Sequence, residues 1–226
     1  MGESEQIYHS ENFQKFWSLP EEKRERILNA AMGEFLGGYK KASTDNIVRE
    51  AGISKGILFH YFGTKEKLYN FLIDYAIGIM KREYIDLIDI IQPDILESLW
   101  QLSLLKRELS IHYPAIFDFM TAAFVDETAK SQGTLLNLAK FKDEQAAIMG
   151  RVYAQADMSL FREDINPKTA MEIITWTLYG YGQSKMDIAP GESIGKAARE
   201  NYDVFLAEFE AILSTLRKCF YKKLCS

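Results

Sequence analysis

The chain is poor in the residues that carry most enzyme and metal chemistry. Of 226 residues, three are histidine (His9, His60 and His112) and two are cysteine (Cys219 and Cys225). No Cys or His lies at ligand spacing around His60, and neither a nucleophile elbow nor a Gly-rich phosphate loop is present. Catalysis, a bound metal and a cofactor are therefore not expected. The N-terminus, MGESEQIYHSENF, is acidic and polar, unlike a secretory signal. The cysteines then read as reduced thiols of a cytoplasmic protein. No apolar run approaches the roughly 18 to 20 residues that span a bilayer, so no membrane partner is expected. Prolines number only five and no segment alternates as a strand would, which leaves an all-α chain.

What is present first concerns charge. The net charge is −5, at first sight a poor match to nucleic acid. Between Tyr39 and Leu68, however, Lys40, Lys41, Arg49, Lys55, Lys65 and Lys67 face only Asp45, Glu50 and Glu66, a local +3 on a body of −8. A small basic patch on an acidic body suits contact with phosphate at one surface.

Helical periodicity and stop signals divide the chain into about nine helices. Residues 1–10 are expected to be disordered, and Asn12 to Trp17 adds at most a short apolar turn to an N-terminal extension over 1–19. Pro20 suits a first helical turn, and Ile27, Ala31 and Phe35 line up before Gly37 and Gly38 stop the helix. Ser43, Ser54 and Thr64 stand where N-caps belong. They open helices that bury Ile47 and Ala51, then Leu58 and Phe62, then Leu68, Phe71, Leu72 and onward to about Ile90. Two short helices around Ala51-Gly52-Ile53-Ser54, with a third following at once, are the pattern of a helix-turn-helix whose second helix enters a DNA groove. The motif spans 43–62 within a DNA-binding domain over 20–67.

Residues 68–226 read as helices over 94–112, 114–127, 133–156, 167–187 and 192–222. In the last of these, Tyr202, Leu206, Phe209, Leu213, Leu216 and Phe220 follow a heptad seam, with Phe205, Ile212 and Cys219 beside it. The helix over 167–187 is apolar almost all round, which requires cover on more than one face. Burial within the subunit and contact with a second subunit satisfy that requirement equally.

The stretch ILNAAMGEFLGGYKKASTDNIVREAGISKGILFHYFGTKEKLYNFL resembles the DNA-binding domain of TetR-type transcriptional regulators. The resemblance covers about residues 23–72 and rests on Ile27, Ala30, Ala31, Phe35, Gly38, Tyr39, Ser43, Ile47, Ala51, Gly52, Ser54, Lys55, Gly56, Leu58, Tyr61, Phe62, Lys65, Glu66 and Leu68. Val48, Ile57 and Phe59 depart from the usual pattern. The resemblance implies an Ω-shaped homodimer whose last two long helices pair across the interface. It also implies an effector pocket in the larger C-terminal region. On that basis 167–187 and 192–222 become dimer helices, with Ile174, Leu178, Tyr181, Phe205, Phe209, Ile212 and Leu216 at the interface.

The expected DNA contacts are phosphate clamps at Ser43, Thr44, Ser54, Thr64, Tyr61 and Lys65, and base readout by Lys55, Ile57 and His60, with Gly56 letting the helix sit deep. The partners are then a double-stranded, pseudo-palindromic operator, a second copy of the chain and a small apolar or aromatic effector that releases a repressor. Candidate pocket residues are Trp100, Phe117, Met120, Phe124, Tyr153, Trp176 and Tyr179. Asp118, Asp126, Glu127, Glu144 and Asp157 are carboxylates available to a cationic ligand. The alternatives are an activator of the same fold and a helical interaction protein that keeps the motif without reading DNA.

Overall fold

Hydroxyl caps cut the N-terminal third into short helices. In the computed structural model, Ser43 Oγ accepts from the Asn46 N–H (3.4 Å), Ser54 Oγ from Ile57 (3.3 Å) and Thr64 Oγ1 from Lys67 (3.1 Å). Each satisfies one of the orphan donors at a helix start. The structure describes residues 11–85, 92–126, 132–185 and 194–222. These hold α1 (Glu11–Trp17), α2 (Glu21–Phe35), α3 (Thr44–Ala51), α4 (Lys55–Phe62), α5 (Lys65–Met80), α6 (Ile95–His112), α7 (Pro114–Val125), α8 (Gln132–Ala154), α9 (Pro167–Ser184), α10 (Ile194–Glu200) and α11 (Tyr202–Phe220). No strand occurs among the described residues, only an isolated bridge between Phe161 and Tyr221. The chain is all-α.

Among the described residues eleven helices stand where sequence periodicity suggests about nine, for two reasons. Glu11–Trp17 is a true helix, because Phe13 and Phe16 have a core to enter. The last long segment is cut at Asn201, whose φ of −99° and ψ of 12° leave the helical region. The helix expected to run to Ile90 is α-helical only to Met80 and continues as a π turn, Lys81–Ile85. Expectations about residues 1–10, 86–91, 127–131, 186–193 and 223–226, including Glu127 and Cys225, fall outside the described residues.

Gly52 turns α3 into α4 with φ 64°, a left-handed conformation that glycine adopts without Cβ strain. Inside the N-terminal unit, Phe16, Ile27, Ala31, Ile47, Leu58, Phe62, Phe71 and Leu72 form one core, which continues through α5 to Phe119, Met120 and Phe141 of α7 and α8. The boundary read at 67/68 is thus no gap in packing, since α5 serves both sides. A second core joins α6, α8, α9 and α11 around Ile95, Leu96, Val152, Ile174 and Phe209.

A polar contact ties the N-terminal helices to the remainder. The Tyr39 N–H donates to Asp126 Oδ2 at 2.8 Å, immediately beyond α7. Gly38 precedes it at φ 92°, and a Cβ there would stand 3.2 Å from the same oxygen. Both the backbone angle and the close approach call for glycine.

Asp74 is buried on α5. Its Oδ1 accepts from Asn137 Nδ2 at 2.6 Å, and Oδ2 has no hydrogen-bond partner among the described residues. Burial pushes its pKa up from 3.8 to about 6, against a smaller lowering by the Asn137 bond. A raised folded-state pKa gives stability that is complete below the unfolded value and is lost as pH rises through about 6. Two pKa units correspond to about 3 kcal/mol. Asp74→Asn should therefore gain stability over the parent between pH 4 and pH 7 by an amount of that order. Urea melts across that range measure the gap, and a gap that stays constant with pH rules out this role for Asp74.

Candidate nucleic-acid interface and internal cavity

Helix α4 shows two faces. Leu58 and Phe62 are buried, whereas Lys55, Gly56 and His60 are exposed and Ile57, Phe59 and Tyr61 half-buried. Behind it stands α1, with the Phe16 ring 5.0 Å from Phe62, 5.8 Å from Tyr61 and 5.5 Å from Phe71. This buttress eluded sequence reading because α1 has only seven residues, too few for a periodic signal. At Gly56 a Cβ would meet nothing nearer than Ser54 Oγ at 3.9 Å, so nothing within the subunit demands glycine there. Its bareness faces outward.

The polar groups expected at DNA lie around this helix. Ser43, Ser54 and Thr64 accept capping bonds, and each hydroxyl keeps its proton to donate outward. Thr44 begins α3, next to Ser43, whose N–H donates to Glu34 Oε1 at 2.8 Å. Lys55 Nζ lies 2.8 Å from Asp45, with both side chains at least half exposed. Such a pair is worth little in water, so a phosphate or base can replace it. Lys65 Nζ sits 4.6 Å from the Tyr39 ring centroid, a cation–π contact that holds the ammonium over that ring. Tyr39 in turn is the residue anchored by Asp126. His60 is exposed, its ring 5.4 Å from that of Tyr61.

Away from α4, α5 with its π turn, α6 and α8 line a partly open cavity of about 170 Å³. Its walls are Met80, Tyr84, Leu102, Lys106, Leu109, Gln145, Ile148 and Met149. None of the seven aromatic and methionine candidates reaches it. Phe117 and Met120 are buried in other clusters, and Trp100, Phe124 and Tyr153 are half-buried. Trp176 and Tyr179, 66% and 68% exposed, sit on the surface of the subunit. Residue type and helical spacing do not say toward which neighbour a side chain turns. The carboxylates considered for a cation are engaged elsewhere. Asp118 is paired with Arg199 at 2.9 Å, Glu144 with Lys81 at 2.7 Å, Asp126 accepts from Tyr39, and Asp157 caps the turn Met158–Leu160. A larger concavity of about 610 Å³ between α2 and α3 carries Glu22, Glu25, Glu34 and Glu50 and is an open polar groove.

The interface candidates divide in the same way. Ile174 is fully buried and Phe209 and Leu216 are 7% exposed within one subunit, where they join the second core. Leu178, Tyr181, Phe205 and Ile212 are half-buried. The apolar surface left open on α9 lies beside them, at Ile173, Trp176 and Tyr179, three residues apart along the helix. Among the described residues no group of three or more His, Cys, Asp or Glu is arranged to hold a metal, and no helix is long and apolar enough to cross a membrane.

Residues 27–71 match the family profile described as bacterial regulatory proteins, tetR family. Among solved structures, a TetR family transcriptional regulator from Chloroflexus aurantiacus J-10-FL superposes with a TM-score of 0.59 at 20% identity, covering 93% of this chain and 98% of that one. The ketosteroid transcriptional regulator KstR2 of Mycobacterium tuberculosis gives 0.58 at 19% identity, covering 91% and 98%. NalD, the secondary repressor of the MexAB-OprM multidrug efflux pump in Pseudomonas aeruginosa, gives 0.51 at 17% identity, covering 90% and 99%. At these identities the likeness is one of fold. No curated protein sequence matches the chain.

Proposed function

We propose, from the premise that residues 27–71 form a tetR-family regulatory domain, that this protein is a transcriptional regulator that binds a pseudo-palindromic operator as a homodimer and is released from it by a small molecule. The carrying observation is α4 with Lys55, Gly56 and His60 bare on its outer face, ringed by the capped starts of α3, α4 and α5. Those helix starts present N–H groups and hydroxyls to phosphate, while α4 supplies the side chains that read bases. Two such helices must meet successive major grooves roughly 34–36 Å apart, which requires a dimer. The exposed Ile173, Trp176 and Tyr179 on α9 support a second copy covering that face.

Release by a ligand is supported by α5. Its first turn carries Lys65 beside α4, and its last residue, Met80, lines the cavity. At 1.5 Å per residue this helix spans about 24 Å, so a shift at the cavity is carried rigidly to the DNA face. A coupling of about 1–3 kcal/mol suffices for such a switch. The repressor role of the Pseudomonas neighbour agrees with repression here.

Footprinting on the DNA flanking the gene tests the reading, followed by titrations at several salt concentrations. The parent should protect a two-fold symmetric site. Lys55→Ala combined with Lys65→Ala should flatten the salt dependence by about two units for each subunit of the dimer and weaken binding at least tenfold. Binding without sequence preference favours the helical interaction protein instead. Higher transcription from the site with the protein present marks an activator.

A further inference from the structure

One lysine stands where a leucine would be expected. Along α6 the inward stripe runs Ile95, Leu99, Leu102, Lys106, Leu109, spaced four, three, four and three. The residues on either side of the lysine, Leu102 and Leu109, are 6% and 2% exposed. Lys106 itself is exposed and lines the cavity beside them. Among the described residues no carboxylate pairs with it. Glu144, beside the cavity-lining Gln145, is held by Lys81. Among the described lining residues Lys106 is the only charged one, which makes its ammonium a ready partner for an anion.

We infer that the cavity binds a small organic acid, its carboxylate seated on Lys106 Nζ and its apolar body against Met80, Leu102, Ile148 and Met149. This rests on the reading of the cavity as the effector site. Among the described residues no acidic side chain lines the walls, so the pocket favours an anion over a cation. Two neutral polar groups accompany the lysine. The Tyr84 hydroxyl, pushed up to about 12 by burial, remains protonated and able to donate, and Gln145 offers an amide. A volume near 170 Å³ fits a benzene-sized body with a carboxyl group, as a cavity of about 150 Å³ accommodates benzene. Burial also pulls the Lys106 ammonium below the usual lysine value, so the site keeps its charge best when filled.

The test is calorimetry on the purified full-length protein with benzoate and hexanoate, against benzamide and benzylamine of matched size. The parent should bind the acids at least tenfold more tightly than the amide and should not bind the amine. Lys106→Met should lose the preference for acids. Lys106→Arg, which keeps the charge, should retain acid binding. Equal affinity for acid and amide overturns the inference. So does an acid preference that survives in Lys106→Met, or an absence of acid binding to the parent. Operator titrations separate this from the broader reading. Acids that bind without weakening the DNA complex leave the anion site standing and remove induction through it. Release by neutral ligands alone removes the anion site and keeps induction.

Discussion

Phe16→Ala is expected to destabilise the N-terminal unit by about 3–5 kcal/mol, the range for losing a fully buried aromatic side chain. The ring is 0% exposed and meets Trp17, Tyr61, Phe62 and Phe71 at centroid distances of 5.0–5.8 Å. Two of these neighbours, Tyr61 and Phe62, belong to α4, so the cavity left behind lies directly under that helix. Under the proposed function operator affinity should fall with stability, although Phe16 is fully buried and touches no ligand itself. Phe16→Leu, which refills most of the volume, should recover the larger part of both losses. Urea melts and operator titrations on the two variants provide the check. Alanine at this position with unchanged affinity and stability means that α1 does not support α4.

Asp94→Ala is the second large effect, a loss of about 3 kcal/mol. One carboxylate does three jobs at the start of α6. Its Oδ1 accepts the backbone N–H groups of Leu96 and Glu97 and the Tyr221 hydroxyl, and its Oδ2 takes the Arg217 guanidinium at 2.6 Å. Losing the cap costs about 1 kcal/mol and losing the tyrosine bond to a charged acceptor about 2. The arginine pair adds little, since Arg217 is 40% exposed. Burial alone would raise the Asp94 pKa, and the bonds from Arg217, Tyr221 and the Glu97 N–H outweigh it, so the net direction is down. A depressed folded-state pKa gives stability present above the ordinary carboxylate value and lost as pH falls below it. The difference between parent and Asp94→Ala should accordingly shrink toward pH 3. Asp94→Asn should keep part of the cap and fall between the two. The contacts join α6 to the end of α11, so a melt in which Asp94→Ala matches the parent at pH 7 shows that this clasp contributes nothing.

The N-terminal helices were legible because their signals are local. Ser43, Ser54 and Thr64 each announce a helix start within three residues, and Gly52 announces the turn between two helices. Leu58 and Phe62, four residues apart, identify the inner face of α4 without knowledge of what they pack on. The C-terminal region offered no comparable handle. Ile174 and Trp176 lie two positions apart on a helix apolar nearly all round, yet one is 0% and the other 66% exposed. Neighbours that arrive from distant parts of the chain make that difference. Lys106 was open to recognition as a charge inside an apolar heptad, a signal that aromatic counting passes over.

By itself, the sequence determined an all-α chain, the cuts that form α2 to α5, and the side chains that α4 turns outward, because caps, turns and helical period act over a few residues. Tertiary structure alone decided that α1 braces α4, that Asp126 reaches back to Tyr39, and that Tyr84, Lys106 and Gln145 meet around one cavity. Those outcomes depend on which helix faces meet across long stretches of chain. Periodicity shows that a face is apolar, and only packing selects the face that covers it.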